Sequence, residues 1–121
     1  MIAVGIGFRS SAPLASLQAA LTLVMAQAEL RPQVVATAAA KATAPQITAL
    51  AHALDLSVRA VDVAGMNTPT QSPQSQRTYA TGSVAEAAAL LAAGPGARLI
   101  VGRVTSPDGM ATAALAQGPD P

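Results

Sequence analysis

Short apolar, β-branched runs alternate with amphipathic helical stretches along this chain, and that alternation narrows it to an α/β architecture. Ile2–Ile6 reads as a first strand, and Leu14, Leu17, Leu21, Val24 and Met25 then recur at helical spacing over residues 12–30. Pro13 sits near the start of that helix, where a proline is tolerated. Gln33–Thr37 predicts a second strand, and Ile47, Leu50, Ala51 and Leu54 mark one face of a second helix. Ser57–Val61, a helix over 84–93 and a strand over Arg98–Val104 continue the rhythm. Strand–helix–strand units close by right-handed crossovers. The expected fold is therefore a single α/β domain over 1–121. Its sheet is expected to be mainly parallel, of four to five strands, with helices on both faces in a three-layer α/β/α arrangement. Ser106-Pro-Asp-Gly109 predicts a turn, and Met110–Ala116 a short final edge strand.

Two helix starts carry capping-box patterns, Thr43-Ala-Pro-Gln46 and Ser83-Val-Ala-Glu86. Between them, residues 65–82 break the alternation with Pro69, Pro73 and a run of Thr, Gln and Ser. That composition predicts a long loop, and loops of this length in compact domains are often binding lids.

The core must be made of small side chains, because alanine is about a quarter of the chain and Phe8 and Tyr79 are its two aromatics. A formal net charge of +1 argues against a broad nucleic-acid or anionic-membrane footprint. The absence of cysteine excludes disulfides, thiolate catalysis and cysteine-ligated metal. With His52 as the lone histidine, a histidine metal site or a Ser-His-Asp triad is not expected, nor is a cofactor. No stretch approaches the roughly 18 apolar residues of a membrane span, and the N-terminus reads as a strand, not a leader. The expected location is cytoplasmic.

In parallel sheets ligands bind beyond the carboxyl ends of the strands. There the first strand delivers Gly5, Gly7 and Arg9 and enters a helix through Ser10 and Ser11. Glycines let a ligand approach the backbone, and the unpaired N–H groups of a first helical turn attract anions. Lys41 follows the second strand and Arg103 ends the fourth, while Thr37, Thr43, Thr81 and Ser83 add hydroxyls near helix starts. Together they outline a site for carboxylate or phosphate. A dinucleotide loop is a poorer reading: Ser10 stands where the third glycine of G-x-G-x-x-G belongs, and no acidic residue ends strand two. Glu86 is the best-placed carboxylate at this edge, although capping alone accounts for it. His52 reads as a partly exposed helix residue.

These pieces resemble, in order, a cobalamin biosynthesis family comprising CobE and the C-terminal domain of CbiG. The resemblance rests on Gly5-Ile-Gly7-Phe8-Arg9, Ala36-Thr37-Ala-Ala-Ala-Lys41, Thr68-Pro-Thr70, Ser83-Val-Ala-Glu86-Ala-Ala-Ala-Leu90 with Thr81 before it, and Ser106-Pro-Asp-Gly-Met110-Ala-Thr112. It implies a role in building the corrin ring, with a precorrin-type tetrapyrrole as ligand and other cobalamin-pathway enzymes as further partners. In the CbiG arm, a longer protein with an extra N-terminal region opens a lactone on a cobalt-precorrin. A chain of this size is expected to follow the CobE arm. The ligand-binding set it suggests is Gly5, Gly7, Arg9, Ser10, Thr37, Lys41, Thr81, Ser83, Glu86 and Arg103, with Phe8, Met66, Tyr79 and Met110 offering apolar surface to a flat ring. Three functions stay open: a carrier or accessory that holds the tetrapyrrole, a precorrin hydrolase or isomerase using Lys41 or Glu86, and a structural subunit docking through helix 84–93.

Overall fold

The computed structural model describes residues 1–64 and 83–119. The long loop expected over 65–82, with Thr81, Met66 and Tyr79, lies outside the described residues. The elements run β1 (Ile2–Phe8), α1 (Leu14–Met25), β2 (Val34–Ala38), a single 3-10 turn (Ala39–Lys41), α2 (Pro45–Leu54), β3 (Val58–Val61), α3 (Val84–Ala93), β4 (Arg98–Thr105) and β5 (Ala111–Gln117). None of these helices is long and apolar enough to cross a membrane.

The sheet order is β3-β2-β1-β5-β4. β1–β2 and β2–β3 are parallel pairs, whereas β1–β5 and β4–β5 are antiparallel. The expectation of a mainly parallel sheet is thus corrected to a mixed five-stranded one. The cause is the tight Ser106–Gly109 connection, since only an antiparallel hairpin can be joined by so few residues. β5 is not an edge strand either. It lies between β1 and β4, in register from Ile2↔Gln117 to Phe8↔Ala111, and it is buried along most of its length. Its nearly unbroken apolar sequence, Ala-Thr-Ala-Ala-Leu-Ala, fits a strand covered on both faces.

Side chains of β1 alternate between two hydrophobic clusters, as a strand requires. Val4, Ile6 and Phe8 pack with Leu17, Leu21 and Val24 of α1 and with Ile47 and Leu50 of α2. Ala3 belongs to the other cluster, with Ala36, Ala38, Ala114 and Ala116 of the sheet and Ala85, Ala88, Ala89 and Ala92 of α3. Gly5 and Gly7 fall on this alanine side. A Cβ on Gly5 would sit 2.6 Å from the Ala89 amide nitrogen and closer still to the Ala85 carbonyl oxygen. The helix backbone therefore occupies the space where a side chain would be.

The helix starts differ from their sequence patterns in one case. Ser83 caps α3 as expected, its hydroxyl accepting the Glu86 N–H at 3.3 Å. At α2 the cap position is Ala44, and Thr43 makes no side-chain cap. Gln46 does not reach back to Thr43. Its amide donates to the carbonyls of Ser10 (3.1 Å) and Ala12 (2.9 Å), groups left without strand or helix partners between β1 and α1. The α1 helix is also shorter than the apolar spacing implied.

The β4–β5 turn is organised by one carboxylate. Asp108 accepts from the Ser106 hydroxyl at 2.6 Å, from the Met110 N–H at 3.1 Å and from the hydroxyl of Ser16 on α1. These donors, Ser106 foremost, hold the Asp108 carboxyl below its ordinary value of 3.8.

Two measurements check this account. Gly5→Ala should destabilise the fold by about 3 kcal/mol or more, because the clash is with helix backbone that cannot step aside. Gly109→Ala, where φ is +73° but space is open, should cost only about 1 kcal/mol. Urea unfolding that ranks the two equally would contradict the packing described. For Asp108, the lowered folded value means its stabilisation is complete above the unfolded value near 3.8 and is lost as pH falls through the folded one. Asp108→Asn should therefore flatten the acid limb of a stability–pH profile below about pH 4, as read by thermal melts across that range.

Candidate functional site

The pairing directions gather the basic residues at one end of the sheet. β1 and β2 are parallel and both end there, delivering Arg9 and, through the 3-10 turn, Lys41. Because β5 is reversed against both of its neighbours, β4 again runs along β1, and its last residues arrive at the same end. Thr105 of β4 faces Thr112 of β5, five residues along that strand from Gln117, which pairs with Ile2 of β1 and Arg98 of β4 at the opposite end. Arg103 therefore lies toward the Arg9 end, as its place in the sequence suggested. The first turn of α3 reaches this end too: a Cβ on Gly7 would be 3.5 Å from the Ala85 amide nitrogen and 2.8 Å from the Thr112 hydroxyl.

Arg9 and Ser10 are exposed immediately beyond β1. The Arg9 N–H donates to the Met110 carbonyl at 3.0 Å, which ties the β4–β5 turn to the end of β1. Lys41 is half-buried and its ammonium donates to the Phe8 carbonyl, 5.1 Å from the Phe8 ring centroid. That arrangement combines a charge-assisted hydrogen bond with a cation–π contact. Burial, and the Arg9 charge beside it, hold the Lys41 amine below its ordinary 10.5. Three donors on an ammonium leave two for a ligand once Phe8 has taken one.

Other candidates are committed inside the protein. The Thr37 hydroxyl donates to the Ile6 carbonyl at 2.7 Å, and only 1% of the residue is exposed. Gly5 faces the α3 backbone, and Gly7 lies between Thr112 and the α3 start. Ser83 is buried in its cap. Glu86 is fully buried, and its carboxylate accepts the Arg103 main-chain N–H at 3.0 Å. Phe8 is buried in the core and serves as the Lys41 platform, while Met110 is partly buried. His52 is exposed in the last turn of α2.

Thr112, Gln46 and Asp108 shape this end and were not singled out as site residues by sequence. Thr112 is the cross-strand partner of Gly7, a pairing visible only once β5 is known to lie against β1. Among the described residues no group of three His, Cys, Asp or Glu side chains can hold a metal ion. A shallow pocket of about 270 Å³ lies at the other end of the sheet, lined by Gly96, Arg98, Gln117, Gly118 and Pro119. It contains none of the residues expected at the ligand edge. Chemically, the exposed end is a set of cations and donors suited to holding anions.

Comparison with known proteins identifies the family and the fold. CobE, a protein from the cobalamin (vitamin B12) biosynthetic pathway, has a similar crystal structure, with a TM-score of 0.81 and 26% identity over 96% of this chain and 89% of that one. The cobalamin biosynthesis protein ChiG from Agrobacterium tumefaciens has a TM-score of 0.73 and 30% identity, covering 99% of this chain and 100% of that one. A cobalamin biosynthesis protein G homolog from Sulfolobus solfataricus shares the fold at 20% identity and a TM-score of 0.67, with this chain spanning 36% of its length. No curated protein sequence matches. Residues 2–116 match the family model described as cobalamin synthesis G C-terminus, and the chain belongs to that family of cobalamin biosynthesis proteins.

Proposed function

We propose that this domain works in the cytoplasm as a binder of a precorrin-type tetrapyrrole, as carrier or accessory to a cobalamin-pathway enzyme. Involvement in cobalamin biosynthesis follows from the family. The observation that carries the ligand reading is the pair of cations at the ends of β1 and β2. Arg9 is close enough to Lys41 to help lower its pKa, beside the larger effect of burial. Precorrins carry acetate and propionate groups around a flat rim, and a carboxylate set between Arg9 and Lys41 would relieve that repulsion. Arg103 and the exposed Ser10 extend the same edge for further carboxylates, and Thr81 would join them from outside the described residues. Gly7 lets the start of α3 pack closely against β1 behind that edge. Gly5, Thr37, Ser83 and Glu86 support this edge from beneath.

The hydrolase or isomerase reading would need Lys41 or Glu86 at the reacting atoms. Lys41 is tied to Phe8 and Glu86 is fully buried, an arrangement that favours holding over turnover. Docking through helix 84–93 is less apt again, since eight of its ten residues are buried and Leu91 is its exposed large side chain.

Titration with uroporphyrin, an acidic tetrapyrrole with acetate and propionate rims, tests the binding reading by absorbance and fluorescence. Arg9→Ala should weaken binding about tenfold, the loss of one charge-assisted contact, with the melting temperature little changed. Equal affinity for the variant and the wild type would remove Arg9 from the site. Incubation with a precorrin separates the roles: conversion of its chromophore would favour the hydrolase.

The Lys41 environment adds a pH signature. The amine binds an anion only when protonated, so affinity should fall as pH rises through its lowered pKa, before the ordinary value of 10.5 is reached. Lys41→Arg stays charged throughout that range and should move the loss to higher pH. Identical alkaline profiles for the two proteins would show that Lys41 does not touch the ligand.

A further inference from the structure

β4 is irregular where it passes α3. Its register against β5 shifts between Leu99 and Val101 and again between Val101 and Val104. From Val101↔Leu115 to Val104↔Ala113, β4 advances by three residues and β5 by two, so the stretch at Gly102 and Arg103 carries one extra residue, as in a β-bulge. A bulge leaves main-chain groups without ladder partners. Here the Arg103 N–H donates to the Glu86 carboxylate at 3.0 Å. Glu86 is fully buried, and Gly102 makes room for it: a Cβ at that position would stand 3.2 Å from the Glu86 Oε2 atom. Burying a carboxylate is costly unless its partners compensate, and Ser83 already caps α3 with its own hydroxyl. Capping of α3 therefore does not require Glu86 to be buried at this depth. A contact that holds the bulge does.

We propose that Glu86 is a positioning residue, whose buried carboxylate grips the Arg103 amide and fixes the main-chain point from which the Arg103 side chain leaves β4 at the ligand edge. The proposal rests on the tetrapyrrole reading for what Arg103 does, but the grip itself does not depend on it. Glu86 acts without touching ligand. It joins α3, seated on β1, to the strand at the far side of β5, so that one acid carries the placement of the arginine near the end of β4.

The test combines a double-mutant cycle with a resonance readout. Uroporphyrin affinity is measured for wild type, Arg103→Ala, Glu86→Ala, Glu86→Gln and the Glu86→Ala/Arg103→Ala pair. If Glu86 acts through Arg103, Glu86→Ala and Arg103→Ala should each weaken binding about tenfold. The double variant should be no weaker than Arg103→Ala alone. Glu86→Gln, which keeps shape and an acceptor oxygen, should restore most of the affinity. Losses that multiply in the double variant, or a glutamine as harmful as alanine, would overturn the proposal. The Arg103 amide resonance gives a second, ligand-free measure that survives if Glu86→Ala does not fold. In Glu86→Gln it should move upfield as a charged acceptor becomes neutral, while the Thr105 amide stays in place. An unmoved Arg103 resonance defeats the proposal. If the wild type fails to bind uroporphyrin, the tetrapyrrole reading fails and the resonance still decides whether Glu86 holds the bulge.

Discussion

The seating of α3 on the glycine face of β1 governs the rest of this molecule. At Gly5 the helix main chain stands where a β-carbon would be, and at the far end of the helix Gly118 does the same for the Ala93 carbonyl, its would-be Cβ 3.2 Å from the Ala93 carbonyl carbon. With so few large side chains on that side, the alanines of α3 and of the sheet touch only because the two layers approach so closely. Alanine methyl groups bury little area each, and close contact lets dispersion do what bulk does in other cores. The same approach determines what lies at the helix start. Ser83, the Ala85 amide and Glu86 are brought against Gly7, Thr112 and β4 because the axis of α3 has almost no freedom to shift.

Topology then decides which charges meet. Arg9 and Arg103 are far apart in sequence, yet the single reversed strand, β5, sets β4 running along β1 and brings both residues to one end of the sheet. The hydrogen bond from the Arg9 N–H to the Met110 carbonyl joins the two chain segments there, and Asp108 joins the same turn to Ser16 of α1. This end of the sheet is thus underlain by main-chain and turn contacts, to which Lys41 adds its bond to the Phe8 carbonyl. That leaves Arg9 exposed beyond β1.

Much of this was legible in the sequence, and the misreadings have physical causes. Apolar periodicity found the strands and helices because each buries a face, and it placed Arg9, Lys41 and Arg103 at one edge. It could not show that β5 inserts between β1 and β4, since the pattern of a strand does not say which strand it pairs with. Gly5 and Gly7 drew a ligand reading because glycine admits any close approach; a helix backbone and a ligand leave the same mark in sequence. Thr43 and Gln46 matched a capping box, but the carbonyls of Ser10 and Ala12 needed donors, and Gln46 went to them. Glu86 looked complete as a cap because the partner of its carboxylate, the Arg103 amide, lies across a packing contact that no local pattern contains.

The Arg9–Lys41 pair ties this architecture to its use. Two like charges held near one another oppose folding, and partial burial of Lys41 adds to the cost. The Phe8 carbonyl and ring compensate part of it by accepting and facing the ammonium. Both charges stand at the ends of β1 and β2, kept in place by strands that cannot move apart without breaking the parallel β1–β2 ladder. An anion that enters gains both the direct contact and the relief of that repulsion, so its binding stabilises the folded domain more than a single ion pair on an unstrained surface would. In the proposed binding role, stability and ligand affinity would be coupled at this point of the fold. In that proposed role, the same rigidity would suit the pair to a ligand with carboxylates spaced along one rim.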